Sequence, residues 1–345
     1  MSFGLLPELT PTSIPEFTFI SPKTVSEALL ALGTFGSRAK IIAGGSDLLH
    51  LMKRDSLVPF PDVLVDIKGI DELRSVDFSA SAGLTLGSLV TIAAIENSGT
   101  VADNYPLLSQ AADDISSPQV RNVATVGGAL SQQVWCSFLR NGLKCWRAGG
   151  SICYATQEGA DNRYYQSVMG GSDCYAVHPS DLAVALEALD ASVVISGPYG
   201  TKTVSIADFL PGNVWVGGVL QSHILAPTEM VTSVRLPPPS SSGRYFYLKT
   251  RIRNVFDFAI ASIAVNLTIT GSEVSSSRVV FGGIAPAPYR DLNVERALDG
   301  AAMTSINVDQ VAAVALSTAS PLQNNGYKVD VAKGLLKEAL AQMLV

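Results

Sequence analysis

The residues best able to do chemistry are four cysteines, Cys136, Cys145, Cys153 and Cys174, and the 345-residue sequence has no others. All lie between a glycine turn, Thr125-Val126-Gly127-Gly128, and the tetrapeptide His178-Pro179-Ser180-Asp181. The intervening segment is rich in Gly, Asn, Arg and Tyr and poor in periodicity, which predicts one long ordered loop; such a loop in a compact chain needs a function. Four clustered thiols can form disulfides, bind zinc or hold an iron–sulfur cluster. Disulfides want an oxidising compartment, and Met1-Ser2-Phe3-Gly4 lacks the basic flank and apolar run of an export signal. Structural zinc usually uses short C-x2–4-C pairs, absent here. The pattern C-x8-C-x7-C-x20-C is wide enough for separate backbone turns to bring one thiolate to each corner of a cubane. On spacing alone two readings stay open: a cluster, or four buried and unreactive thiols.

A second design occurs twice. Ile41-Ile42-Ala43-Gly44-Gly45-Ser46 and Val123-Ala124-Thr125-Val126-Gly127-Gly128 are β-branched apolar runs that end in a Gly-Gly turn beside a small hydroxyl residue. Glycines let successive N–H groups face one concavity and let a phosphate approach the backbone. Ser46 and Thr125 could add hydroxyl donors, and two such turns could grip a pyrophosphate from both sides. The chain has six Gly-Gly pairs, so a pair alone says only "turn". Neither segment is a Walker A or a G-x-G-x-x-G fingerprint.

These groups must be positioned by regular elements. Thr24-x-x-Glu27 is a capping box ahead of Ala28, Leu29, Leu30 and Leu32, with Gly33 suited to the C-terminal stop. Ala39–Ala43 and Val63–Ile67 read as strands around a helix-like Leu48–Lys53, a small α/β unit. Leu84–Gly87 is a short strand and Val90–Ile95 a short helix. Pro106 opens another helix, carrying Leu107, Leu108, Ala111, Ala112 and Ile115, and Ser117-Pro118 ends it. Val120–Val126 is expected to return as a strand. Ser180 or Asp181 can cap a helix with Leu182, Ala185, Leu186 and Leu189 on one face. Gly197-Pro198-Tyr199-Gly200 between Ser192–Ser196 and Thr203–Ile206 is a hairpin signal. Met230–Leu236 alternates like a strand, and Pro237 to Gly243 is the clearest linker. Strand-like Arg244–Thr250, Phe258–Ile269 and Ser277–Gly282 precede helical patterns at Asn293–Leu298, Val308–Ser317 and Lys328–Leu344. The expected layout is an arm over 1–20, subdomains over 21–68 and 69–236, a cysteine loop over 131–178, and an α+β domain over 244–345.

Charged residues are 16% and apolar ones 47%, an apolar surface for a free monomer, which points to partner subunits. A formal charge of −6 with no basic run argues against nucleic acid. The most apolar window, Phe256–Ile269, contains Asp257 and Asn266 and is too short to span a bilayer. The expected location is cytoplasmic, or periplasmic only by export together with a partner that carries the signal.

Several of these segments together resemble one family. Ala43-Gly44-Gly45-Ser46-Asp47-Leu48-Leu49 with Leu64-Val65-Asp66-Ile67 is similar to the first FAD loop of molybdenum-hydroxylase flavoprotein subunits, the xanthine dehydrogenase, aldehyde oxidoreductase and CO dehydrogenase group. Val120 through Gly128 resembles its second FAD loop. His178-Pro179-Ser180-Asp181-Leu182, Tyr247-Leu248-Lys249, Asp257-Phe258 and Gly282 through Arg290 follow in the family's order. Most members lack a cysteine loop. Those with one resemble 4-hydroxybenzoyl-CoA reductase and certain bacterial aldehyde oxidoreductases, whose flavin subunit holds a 4Fe-4S cluster; the present spacing resembles the latter more. The second loop usually continues Gly-Gly-Asn, whereas Ala129 follows here, which removes one amide from the expected flavin contacts.

The resemblance implies an α+β chain. Two subdomains form an FAD-binding fold of the PCMH/vanillyl-alcohol-oxidase type, followed by an α+β C-terminal domain of the CO dehydrogenase flavoprotein type. It implies that Ile41, Ile42, Ala43, Gly44, Gly45, Ser46, Asp47, Leu48, Thr125, Gly127 and Gly128 hold FAD. It also puts Asp181 near the ribityl or ribose hydroxyls, Leu225 against the ring system and Lys249 at the flavin edge. Cys136, Cys145, Cys153 and Cys174 would ligate the 4Fe-4S cluster. It further implies a molybdenum-cofactor large subunit, a small 2Fe-2S subunit and an external electron acceptor, with substrate chemistry in another chain. Core packing would also account for Leu225, a helix cap for Asp181 and a solvated strand position for Lys249. His50, His178 and His223 are too scattered for a metal site. Two rivals remain: a stand-alone NAD(P)H-dependent flavin reductase of the same fold, and a non-catalytic scaffold whose cysteines hold zinc.

Overall fold

The computed structural model describes residues 14–253 and 256–344; the first thirteen residues of the expected arm lie outside them. The rest of that arm is structured, for Thr18–Ile20 pairs parallel with Val63–Val65 at the edge of a three-stranded sheet. Val63–Asp66 is the central strand, and Ala39–Ile42 lies parallel on its other side. Helix Val25–Phe35 covers this sheet with Ala28, Ala31 and Leu32. Thr24 caps it, its Oγ1 accepting from Glu27 N at 3.1 Å. The helix runs past Gly33 and stops at Gly36, whose φ of 54° suits glycine.

The second sheet is antiparallel and five-stranded, ordered Val76–Ser79, Gly83–Gly87, Met230–Leu236, Ser192–Gly197 and Gly200–Ser205. The long excursion between Gly87 and Ser192 supplies the helices Ile92–Glu96, Gly99–Asn104, Pro106–Asp113, Val126–Ser131 and Asp181–Ala188 as well as the cysteine segment. The expected strand over Val120–Val126 is not formed. Ser117 and Thr125 instead cap two short helices, Pro118–Arg121 and Val126–Ser131, by accepting from Val120 N and Gly128 N. Only Thr125 keeps a strand-like contact, a bridge to Thr91. Hydroxyl capping wins here over the β preference of Val120, Val123 and Val126.

The third sheet is antiparallel, Gly243–Thr250, Ala261–Thr270, Glu273–Gly282 and Tyr289–Arg290. Its first residues continue directly from the Pro237–Gly243 stretch. The two faces of its strands serve different cores, as period-two alternation requires. Ile263, Val265, Leu267, Val279 and Phe281 pack under the helices Leu292–Leu298, Val308–Val314 and Tyr327–Met343. Ala264, Val280 and Tyr247 instead join the core built by Leu107, Leu108, Leu182 and Leu186. On the same side Asn266 Nδ2 donates to Ala188 O at 2.9 Å. The second and third sheets therefore clamp the helices Pro106–Asp113 and Asp181–Ala188 between them.

The cysteine segment contains only the helix Ser137–Arg140 and turns at 146–148 and 154–156. Its ends are joined, since Trp135 N donates to Val177 O at 3.1 Å. It docks on the C-terminal domain through Lys328, which is fully buried and donates to Tyr164 O, Gln166 O and Gly283 O at 2.8, 2.9 and 2.6 Å.

Candidate functional site

The first glycine turn follows from the end of strand Ala39–Ile42. Gly45 has φ 73°, and the chain then enters helix Leu48–Lys53. A Cβ on Gly44 would overlap the carbonyl oxygen of Val123, so the two glycine loops touch backbone to backbone at this residue. The amides of Gly44, Gly45, Ser46, Asp47 and Leu48 find no acceptor among the described residues. They are the free N–H donors that an oxyanion can use.

The second turn differs from the sequence expectation. Val126 N donates to Val90 O, Gly127 N to Ser88 O, Gly128 N to Thr125 Oγ1 and Ala129 N to Thr125 O, at 2.8–3.2 Å. All four amides are already bonded, so this loop does not offer a row of free donors. Gly127 is there for a close approach, since a Cβ on it would sit 2.9 Å from Ser88 Cβ, whereas one on Gly128 would meet only Thr125 Oγ1, at 3.1 Å. Arg121 fixes the loop from behind. Its guanidinium binds Glu96 twice, at 2.6 and 2.8 Å, and donates to the carbonyls of Asp113, Ile115 and Ser116.

Both loops open onto one cleft of about 670 Å³, within the size range of small-molecule and cofactor sites. Ile41 through Leu48, Thr125, Gly127, Gly128, Asp181, Leu225 and Lys249 all line it. Asp181 and Lys249 are paired in its wall at 2.7 Å, with the Lys249 side chain fully buried and that of Asp181 nearly so. The other Asp181 oxygen accepts from Tyr247 Oη at 2.7 Å, and Lys249 Nζ also donates to Asp114 O at 3.0 Å. Burial, then the Asp181 charge, push the Tyr247 hydroxyl well above its usual range. Asp181 follows the capping residue Ser180 and is not itself the cap. Lys249 is likewise not a solvated strand residue, since it delivers a buried positive charge to the cleft wall.

Sequence reasoning missed four residues that tie this cleft to the cysteine segment. Arg140, buried, binds Asp47 at 2.6 Å. Gln133 N donates to the other Asp47 oxygen at 2.9 Å. The indole of Trp135 lies under the Arg140 guanidinium at 4.9 Å and packs on Phe258 with centroids 4.3 Å apart. Arg147, only 2% exposed, donates to Cys174 Sγ at 3.2 Å, Gln133 Oε1 at 3.3 Å, Ser222 Oγ at 3.3 Å and Asn213 Oδ1 at 2.8 Å. The visible signal for Arg147 was its place between Cys145 and Cys153. For Arg140 and Asp47, far apart in the chain, there was none.

The four cysteines, brought together from separate turns of one segment, line one small cavity with Trp146, Ile152 and Tyr154. Cys136, Cys145 and Cys174 are buried, Cys153 is half-buried, and no pair is disulfide-bonded. Burial pushes the Cys136 thiol up to about 12 and raises Cys145 and Cys153, with the neighbouring sulfurs adding to the effect. Nearby backbone N–H groups oppose that rise in part: those of Leu139 and Phe138 at Cys136, of Arg147 and Ala148 at Cys145, and of Tyr175, Ala155 and Thr156 at Cys153. Ala176 N donates to Cys174 Sγ at 3.4 Å. Among the described residues no three His, Cys, Asp or Glu side chains form a single-ion site. Four cysteine thiols are a donor set that a tetrahedral zinc or an iron–sulfur cluster could each use. His50 and His223 line the larger cleft. His178 is buried and His223 half-buried, and desolvation holds both neutral, His178 down at about 3 and His223 at about 4.

Residues 15–239 match the family described as FAD binding domain in molybdopterin dehydrogenase, and residues 246–343 match the CO dehydrogenase flavoprotein C-terminal domain. The chain is 35% identical over 335 residues to the aldehyde oxidoreductase FAD-binding subunit PaoB of Escherichia coli (strain K12), covering 94% of this chain and 98% of that one. It is 29% identical over 330 residues to the carbon monoxide dehydrogenase medium chain of Hydrogenophaga pseudoflava, covering 94% and 96%. A solved structure of carbon monoxide dehydrogenase from Hydrogenophaga pseudoflava superposes with a TM-score of 0.74 at 28% identity, covering 96% and 98%.

Proposed function

The chain belongs to the FAD-binding subunits of molybdenum hydroxylase complexes, and from that premise we propose that it passes electrons between iron–sulfur centres and an external acceptor through FAD. We include in this reading a 4Fe-4S cluster of its own, held by Cys136, Cys145, Cys153 and Cys174. The observation that carries it is the convergence of these four thiols on one cavity, beside the cleft that both glycine loops line. The partners are a molybdenum-cofactor large subunit and a small 2Fe-2S subunit, and substrate reacts in the former. An aldehyde is the substrate class favoured by the identity to the Escherichia coli subunit.

In this reading the free amides of Gly44 to Leu48 would hold the pyrophosphate. Gly127 and Gly128 would let it approach from the other loop, and Asp181 would bond sugar hydroxyls. Lys249 holds positive charge where a reduced, anionic flavin would be stabilised. Leu225 offers an apolar surface to the ring system. Bound FAD supplies the ability to exchange electrons singly on one side and as a pair on the other.

The test is the visible spectrum, FAD, iron and acid-labile sulfide of the complex purified anaerobically, for the natural chain and for serine at each of the four cysteines. Each substitution should remove most of the extra iron and sulfide while FAD persists. Zinc in place of iron, or iron unchanged in three of the four variants, would overturn the cluster assignment. NAD(P)H oxidation by the chain alone, without partners, would favour the stand-alone reductase.

A further inference from the structure

Arg147 is the most deeply buried large cation beside the thiols, and its surroundings lack the anion it needs. Its acceptors are a thiol, two amide oxygens' worth of side chains and a hydroxyl: Cys174 Sγ, Gln133 Oε1, Asn213 Oδ1 and Ser222 Oγ. No Arg147–carboxylate ion pair occurs among the described residues, unlike Arg140, whose guanidinium meets Asp47. The titratable groups that face Arg147 besides the thiols are His178 and His223, both held neutral. A guanidinium does not lose its proton to escape burial. A buried cation without a counter-charge is costly, because it gives up its hydration and gains no opposite charge in return.

The charge balance changes when the four thiols become thiolates around an iron–sulfur core, because the assembly is then a net anion. We propose that Arg147 is the built-in counter-cation of that cluster, and that its charge and its N–H···S bond raise the cluster's reduction potential. The inference rests on the cluster reading above and goes beyond it, since ligation alone does not require a cation. One added electron makes the cluster more negative by one charge; no bond forms or breaks, and a fixed positive charge against Cys174 favours the reduced form. The placement also has a direction. Gln133 Oε1 binds Arg147, Gln133 N binds Asp47 of the first glycine turn, and Gln133 lines the flavin cleft. Gln133 thus links the guanidinium directly to the cleft that would hold the flavin.

The test uses the whole complex carrying Arg147→Lys, Arg147→Gln or Arg147→Met, with iron and sulfide counted before any potential is measured. A natural complex without the extra iron fails the cluster reading itself, whatever the variants do. With the iron present, an EPR-monitored redox titration of its signal decides. Gln and Met should weaken the one-electron reduction equilibrium at least tenfold, about 59 mV, while Lys stays nearer the natural value and the flavin potential moves less. Iron retained by Lys but lost from both neutral variants would also support a charge requirement. Neutral variants that keep their iron and titrate at the natural potential would overturn the proposal, as would a Lys variant that falls as far as Met. Loss of iron from all three variants would overturn it too, since the side chain's shape rather than its charge would then be what matters.

Discussion

Replacing Gly44 by alanine puts a methyl group where the two glycine loops meet. On the present backbone that carbon falls well inside 3.0 Å of Val123 O, with Val123 C and Ala124 N behind it. No rotamer relieves a clash between a Cβ and a backbone carbonyl, so the loops must part by about 1 Å. Overpacking of this kind costs on the order of 1–3 kcal/mol, and the separation lies in the floor of the cleft. We therefore expect FAD affinity to fall roughly fivefold to a hundredfold, with a modest loss of thermal stability. Gly128→Ala is the matched control, because its Cβ meets only Thr125 Oγ1 and alanine is the better helix former. That variant should keep or gain stability yet lose FAD if the pyrophosphate approaches the glycine surface. FAD per chain, the Kd from flavin fluorescence on the apo chain, and Tm separate the two effects. A Gly44→Ala chain with natural Kd and natural Tm would refute the loop-contact reasoning, and normal FAD binding by Gly128→Val would remove the second loop from the site.

Asp181→Asn leaves Lys249 buried without its carboxylate, and urea unfolding should show a loss of about 3–5 kcal/mol; an unchanged midpoint would mean the pair is not formed. His178 and His223 have folded pKa values below the ordinary 6.5, so their contribution to stability is complete above pH 6.5 and is lost as pH falls through 4 toward 3. Glutamine at both positions should flatten the stability–pH curve in that window, and an unaltered slope would show that other groups govern acid unfolding. Lys328→Met strands the carbonyls of Tyr164, Gln166 and Gly283, costs about 2 kcal/mol or more, and should speed limited proteolysis within residues 150–165; natural resistance there would argue that the cysteine segment is held by other contacts.

Much of the cleft was legible because its parts are local signals. A β-branched run stopping at Gly44-Gly45 marks a strand end, and both glycine loops and the capped helix after Ser180 were placed from short segments. The wrong strand over Val120–Val126 has the opposite cause. Its valines carry the β signal, but Ser117 and Thr125, which decide the outcome, look unremarkable until their hydroxyls are seen bonded to Val120 N and Gly128 N. The same capping consumes the amides that the second loop was expected to offer. Ion pairs such as Asp47–Arg140 and Asp181–Lys249 join residues far apart in sequence, and a single chain holds no local trace of such pairing. The proline-rich 237–243 stretch looked like a boundary between independent bodies. Ala264, Val280 and Tyr247 beyond it nonetheless complete the core that precedes it.

The bridge between Trp135 and Val177 bears on how such a chain could have arisen. A segment whose two ends are hydrogen-bonded to each other is topologically a plug, and a gene can gain or lose it with little disturbance to the helices Val126–Ser131 and Asp181–Ala188 on either side. Acquisition would still have left marks elsewhere, because the plug is seated by residues outside it. Ser56 Oγ donates to Leu139 O, Asp47 binds Arg140, and Lys328 gives two of its three bonds to carbonyls of the segment. In a homologue without the segment a buried lysine at position 328 would have lost most of its acceptors and would be a burden to the fold. Lineages should therefore exchange Lys328 for an apolar residue when they discard the four cysteines, so that two distant stretches of the gene change together.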